Sequence, residues 1–165
     1  MIDELSALRR IEERFHKASK DIELGIGDDA AAVRFDSGKL VLSTTDSQVE
    51  DVHFTKSLIT PSELARKAVA VSVSDIGAMG GVAKFILASV GFSNGEDEEF
   101  LEELISGFIG SQQEFEVEII GGNLSSSNKL FIDITVLGDV EPDLIVKRST
   151  AKTGDLIYAT GTLGD

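Results

Sequence analysis

The chain has 165 residues, 42% of them apolar, enough for one domain with a sizeable core. Its formal net charge is −14, from 29 acidic and 15 basic residues, so it should repel nucleic acid and anionic membranes. A polyphosphate ligand could approach only with metal ions, and the absence of cysteine excludes disulfides, Fe–S clusters and thiolate zinc sites.

The N-terminus, Met1-Ile2-Asp3-Glu4, lacks the basic and apolar regions of a secretion signal, and no apolar run reaches a membrane span; a cytoplasmic location is expected. Residues 3–19 read as an amphipathic helix, with Leu5, Leu8, Ile11 and Phe15 at helical spacing. Next comes Gly25-Ile26-Gly27-Asp28-Asp29, two carboxylates between a glycine turn and the small apolar run Ala30 to Val33. Glycines let a backbone approach a ligand, and twin carboxylates are costly to hold together without a cation, so this is a hard-cation loop in outline. A solvated turn remains the alternative.

Residues 39–45 are β-rich and end at Asp46, with a hairpin expected at Gly38. A polar loop, residues 47–57, carries Glu50, Asp51 and His53. Thr60-Pro61-Ser62-Glu63 is a capping box opening a helix that should run to about Met79 and stop at Gly80-Gly81. Leu64, Ala68, Val71 and Asp75 fall on one stripe of it, and a carboxylate ending an apolar stripe needs a partner. Residues 83–92 make a strand, and Ser93-Asn94-Gly95-Glu96 a second capping box for an apolar-faced helix through Phe115. Residues 116–120 form a strand that runs into Gly121-Gly122-Asn123 and a serine-rich turn. Residues 130–140 alternate as another strand, Pro142 breaks it, and residues 155–160 read as a last strand. The succession predicts an α+β fold, a mixed β-sheet with helices packed on one face.

Asp28, Asp29, Asp46, Asp51 and Asp75 stand at element ends rather than on solvated helix faces, and Asn123 adds another oxygen. If Asp29, Asp46 and Asp75 converge, only divalent cations could stabilise them, and phosphoryl transfer is the chemistry best served. No P-loop or kinase catalytic-loop signature occurs. Each residue also has a plainer role open to it. Asp46 could cap a turn, Asp75 could pair with a base, His53 could be solvated, Gly121-Gly122-Asn123 could be a turn or bulge, and Arg148 could lie on the surface.

Taken in order, Gly25-Ile26-Gly27-Asp28-Asp29-Ala30-Ala31, Ser43-Thr44-Thr45-Asp46, Asp51-Val52-His53-Phe54, Lys67 to Gly80 (with Ser74-Asp75-Ile76-Gly77-Ala78-Met79-Gly80) and Ile120-Gly121-Gly122-Asn123 resemble the thiamine-monophosphate kinase family of the aminoimidazole ribonucleotide synthetase-like superfamily. The resemblance covers nearly all the chain from about Glu23 onward. It implies transfer of the γ-phosphoryl of ATP to thiamine monophosphate, giving thiamine diphosphate. It further implies that Asp29, Thr44, Thr45, Asp46, Asp75 and Asn123 hold several Mg²⁺ ions with Asp28 beside them. Gly122, Asn123 and Arg148 would contact ATP, and His53 thiamine phosphate. The sheets of two copies would pair into a barrel-like homodimer. Residues 1–150 would be an N-terminal ATP/Mg-binding and dimerisation domain, and residues 151–165 the start of a C-terminal domain absent from this chain.

Asn123 stands where many family members have Asp, which keeps an oxygen but removes a charge. Two alternatives are weighed against the kinase. Another superfamily synthetase is one, although the selenophosphate type usually has a reactive Cys or selenocysteine and the purine type a different motif in place of Ser43-Thr44-Thr45-Asp46. A non-catalytic divalent-cation-binding dimerisation module is the other; it would consume no ATP.

Overall fold

The computed structural model describes residues 20–24, 28–34, 38–159 and 161. The helix expected over residues 3–19 and the Gly25–Gly27 turn lie outside them. Six strands form one sheet: β1 (Ile22–Leu24), β2 (Ala31–Arg34), β3 (Leu40–Val49), β4 (Val82–Phe92), β5 (Glu118–Ser126) and β6 (Phe131–Val140). Helix α1 (Pro61–Ala78) precedes β4, and α2 (Glu98–Phe115) joins β4 to β5. The spatial order is β1-β2-β3-β6-β4-β5, antiparallel except for the β4–β5 pair that α2 bridges. The sheet is therefore mixed, as expected.

β6 lies at the centre because every second residue of it is buried, and Ile132, Ile134 and Val136 are sealed from solvent. They share the helix-covered face with Leu40 and Leu42 of β3 and Ile86 of β4, beneath Leu64, Ala68, Val69 and Ile76 of α1. The helix starts as its sequence predicts: the Thr60 hydroxyl accepts from the Glu63 N–H, and the Glu63 carboxylate accepts from the Thr60 N–H at 2.9 Å. Its buried stripe is rotated from the one expected. Ser72 and Ile76 face the core, whereas Val71 is 39% exposed. Small residues decide this, because Ala65, Ala68 and Ser72 let α1 lie close on the sheet and against α2.

Helix α2 packs against α1 at Gly107, where an added Cβ would stand 2.4 Å from the Ser62 carbonyl oxygen. Gly107→Ala is expected to destabilise the fold by about 1–3 kcal/mol despite alanine's higher helix propensity, because the obstacle is backbone. Gly110, on the same helix, has open space around its Cβ direction, so Gly110→Ala should add up to about 1 kcal/mol. Urea denaturation of the two variants checks the pair.

Four local expectations change. Residues 22–24 form a short edge strand that periodicity did not announce. The second capping box does not cap α2; Asp97 does, accepting from the Phe100 N–H at 2.9 Å, and Glu96 is drawn into an ion pair. The serine-rich stretch is no turn but the end of β5, since the parallel ladder with β4 runs to Ser126. No strand forms after residue 151 among the described residues: Leu156, Ile157 and Tyr158 are strongly exposed and have no sheet to join. No helix among the described residues is long and apolar enough to cross a membrane.

Candidate metal and phosphate site

Asp75 lies in the last turn of α1, at the negative end of the helix dipole, with no basic residue in that turn. It faces β3, where the Thr44 hydroxyl donates to Asp75 Oδ2 at 3.0 Å. Alternation along β3 puts Asp46 on the same face as Thr44, so Asp46 and Asp75 approach one another under the helix. Burial pushes the Asp75 carboxyl above its ordinary pKa; the Thr44 hydrogen bond opposes this, and the Asp46 and Asp29 charges and a contact with Asp46 reinforce it. Asp46 Oδ2 is buried, and no donor among the described residues reaches it. A buried carboxylate oxygen without a donor, beside a second carboxylate, is the arrangement that a cation would relieve.

The Asp28-Asp29 turn lies near enough for the Asp29 charge to act on Asp75. It rests on the end of α1, where the Ala30 N–H meets Met79 Sδ at 3.1 Å. The connection after β6 is fastened to that end too, by the Val146 N–H to the Met79 carbonyl at 3.0 Å. This brings Arg148 against the turn, where its guanidinium pairs with Asp29 and stands 3.9 Å from Asp28. Asp28 is nearly buried, and its carboxylate accepts from the backbone N–H groups of Asp29 and Arg148 at 3.0 and 3.2 Å. It shapes the turn, while Asp29 is the more open of the two. An open cleft of about 320 Å³ lies here, lined by Asp28, Asp29, Lys147, Arg148, Thr150 and Asp155 among others. Among the described residues, no three acidic or histidine side chains are already gathered to hold a metal ion. Arg148 supplies the positive charge at Asp29 instead.

The other predicted residues stand apart. Thr45 points to the opposite face of the sheet and accepts from the Thr135 hydroxyl at 3.2 Å, as period-two alternation requires. Gly122 lies on one transverse row with Asp46, through Ile134 and Ala88, but three strand spacings away, about 14 Å. Asn123 follows it on the exposed edge strand. Beside them, an apolar groove of about 440 Å³ opens between α2 and the β4–β5 pair, lined by Val90, Leu104, Phe108, Ile119 and Gly122 among others.

His53 lies beyond the end of β3, about 10 Å along the strand direction from Asp46. Its Nδ1 accepts from the Val49 N–H at 3.0 Å, so the neutral ring carries its proton on Nε2. It lines a cleft of about 390 Å³ with Thr55, Leu58 and Lys67, and Lys67 Nζ donates to the His53 carbonyl. Lys67 opens one of the ordered motifs, but no role was assigned to it from the sequence, because its approach to His53 depends on the fold. Lys56 and Glu96 were missed for the same reason: they are 40 residues apart, and only the fold makes them a pair.

Burial pushes the Glu96 carboxyl up, but hydrogen bonds from Lys56 and Ser93, with the Lys56 charge, hold it below the ordinary carboxylate range. With a lowered native pKa, the unfolded chain takes up this proton first. The stabilisation is complete above the ordinary carboxylate pKa and is lost as pH falls through the native one. Urea midpoints measured from about pH 6 to about pH 3 should therefore fall more steeply for the parent protein than for Glu96→Gln.

With this geometry in view, a family model described as AIR synthase related protein, N-terminal domain, matches residues 27–140. The chain belongs to that family. A relative named thiamine-monophosphate kinase from Bacillus subtilis is 35% identical over 99% of this chain and 50% of its own length. Another so named, from Aquifex aeolicus, is 39% identical over 85% of this chain and 44% of its own length. The solved structure of AaThiL complexed with AMPPCP and TMP superposes with a TM-score of 0.79 at 32% identity, over 90% of this chain and 45% of that one. The hydrogenase maturation protein HypE in complex with ATP shares the fold, with a TM-score of 0.56 at 23% identity over 69% of this chain and 34% of that one. The chain thus spans about half the length of the relatives it matches. The similarity to this kinase group within the family is the one the ordered motifs implied.

Proposed function

We propose that this chain is the N-terminal half of a thiamine-monophosphate kinase, a phosphotransferase that moves the γ-phosphoryl of ATP to thiamine monophosphate and yields thiamine diphosphate in the cytoplasm. The observation that carries it is the approach of Asp46 and Thr44 to Asp75 beneath the end of α1, within reach of the Asp29 charge, with Asp46 Oδ2 buried and lacking a donor among the described residues. All of these are oxygen donors, the set that suits Mg²⁺. Several Mg²⁺ ions held there, with Asp28 shaping the turn, would neutralise phosphate charge, whereas Thr45, on the opposite face of the sheet, and Asn123, on the edge strand, stand too far away to complete that set.

The chain's own groups divide the remaining tasks. Arg148, already beside Asp29, is placed to turn its guanidinium to a nucleotide phosphate. Gly122 and Asn123, which line the apolar groove, would meet ATP there, and the groove offers a seat for its base. His53 presents Nε2–H in its own cleft, where thiamine monophosphate would bind as the acceptor. The acceptor is already an anion, so no general base from this half is required.

A homodimer through the sheets also belongs to this proposal. Among the described residues nothing covers the face of the sheet away from the helices, and it presents Phe85 and Leu87 of β4, 41% and 39% exposed, beside Leu137 of β6. Light scattering of the full-length protein checks it; a monomer at working concentration rejects the dimer.

Titration of this chain with a non-hydrolysable ATP analogue, with and without Mg²⁺, tests the site directly. Binding that requires Mg²⁺ supports a nucleotide–metal site in this half. If the full-length protein also fails to bind, and consumes no ATP when given thiamine monophosphate, the kinase assignment falls and the non-catalytic module takes its place.

A further inference from the structure

Lys56 lies three residues past His53, in the 3-10 turn Lys56–Leu58. Its ammonium pairs with Glu96 Oε1, stands 3.2 Å from Glu50 Oε2 and donates to Ser93 Oγ at 2.9 Å. Glu50 precedes the His53 turn, and Ser93 and Glu96 belong to the connection between β4 and α2. One nitrogen therefore closes residues 50–56 on themselves and ties them to a distant part of the fold. The Glu96 side chain is only 4% exposed, and its Oε2 is buried without a partner among the described residues. An exposed ion pair holds a loop weakly, but removing one member of a buried pair strands the other.

The turn between these anchors has little slack. Asp51 is left-handed at φ +62°, its N–H donates to the Phe54 carbonyl at 2.8 Å, and Phe54 is buried in the core. Lys129 reaches Asp51 at 3.2 Å, and Lys67 holds the His53 carbonyl. Lys56 alone among these lysines links the turn to the β4–α2 connection. Asp29, Asp46, Asp75 and Arg148 all lie outside the turn, so its displacement would leave them where they are.

We propose that Lys56 is a positioning residue for the acceptor substrate: clamped between Glu50 and Glu96, it fixes the turn from which His53 faces its cleft. This rests on the proposal that His53 meets thiamine monophosphate. A loosened turn lowers the fraction of protein in which His53 is correctly placed, which weakens acceptor binding and spares the nucleotide.

The test is steady-state kinetics of the full-length kinase with Lys56→Met, Lys56→Arg, Glu96→Gln and His53→Ala. Lys56→Met should raise KM for thiamine monophosphate about tenfold, with KM for ATP and kcat changed less than about twofold. Lys56→Arg should restore KM, and Glu96→Gln should reproduce the defect if Lys56→Met fails to fold. A parallel loss in kcat and both KM values, following thermal stability, would make Lys56 merely structural and overturn the proposal. So would an unchanged acceptor KM in Lys56→Met when His53→Ala raises it. If His53→Ala itself leaves that KM unchanged, the placement of the acceptor at His53 fails first.

Discussion

Asp46→Ala or Asp75→Ala in the full-length protein is expected to lower phosphoryl transfer by about a hundredfold to a thousandfold or more, while the fold keeps or gains stability. The two halves of this expectation have one cause. Asp75 is raised above its ordinary pKa by burial and by the Asp46 and Asp29 charges, and Asp46 keeps a buried oxygen that no donor among the described residues reaches. Without a cation these groups repel one another, so removing one relieves the metal-free protein. Loss of an oxygen donor would also remove charge neutralisation where a transferring phosphate most needs it. Thermal melts with and without Mg²⁺ separate the effects: the parent protein should gain stability from the ion, and the variants should gain less. Near-normal turnover in both variants would sink the metal-site proposal.

Gly122→Ala is the second large effect expected. A Cβ there would stand 1.8 Å from the Ala88 carbonyl oxygen and 2.9 Å from the Ala88 nitrogen, and the backbone lies at φ +156°, where L side chains rarely sit. Backbone cannot swing aside as a side-chain tip can, so β5 must leave its ladder locally, at a cost of about 3 kcal/mol. β5 is an edge strand, and the sheet can survive its departure; the nucleotide should not. The expected result is loss of hydrogen-exchange protection across residues 118–126 together with lost binding of the ATP analogue. Full protection with normal binding would show that the site does not use this strand.

Much of the local structure was legible in advance because its causes are local. Thr60-Pro61-Ser62-Glu63 announced the start of α1, and the hairpin at Gly38 followed from a glycine that takes φ +81° between two β-rich runs. The stripe of α1 was misjudged at Val71, since apolar spacing alone does not say which of two overlapping faces small residues will bury. Glu96 was taken for a cap because the motif fits; a lysine 40 residues earlier offered its carboxylate a stronger partner.

By itself, the amino-acid sequence determined both long helices and the strands from β2 to β6, the acidic chemistry and, through its ordered motifs, the similarity to thiamine-monophosphate kinases. These depend on capping, period and residue type within short windows. Tertiary structure alone decided that β6, the last of the described strands, enters between β3 and β4, and that Asp75 meets Thr44 and Asp46 while Thr45 turns away. It also set Gly122 three strands from Asp46 on one row, and brought Arg148 to Asp29. Strand order is settled by pairing β6 along both its edges, with β3 and with β4, a non-local gain that no short window of sequence contains.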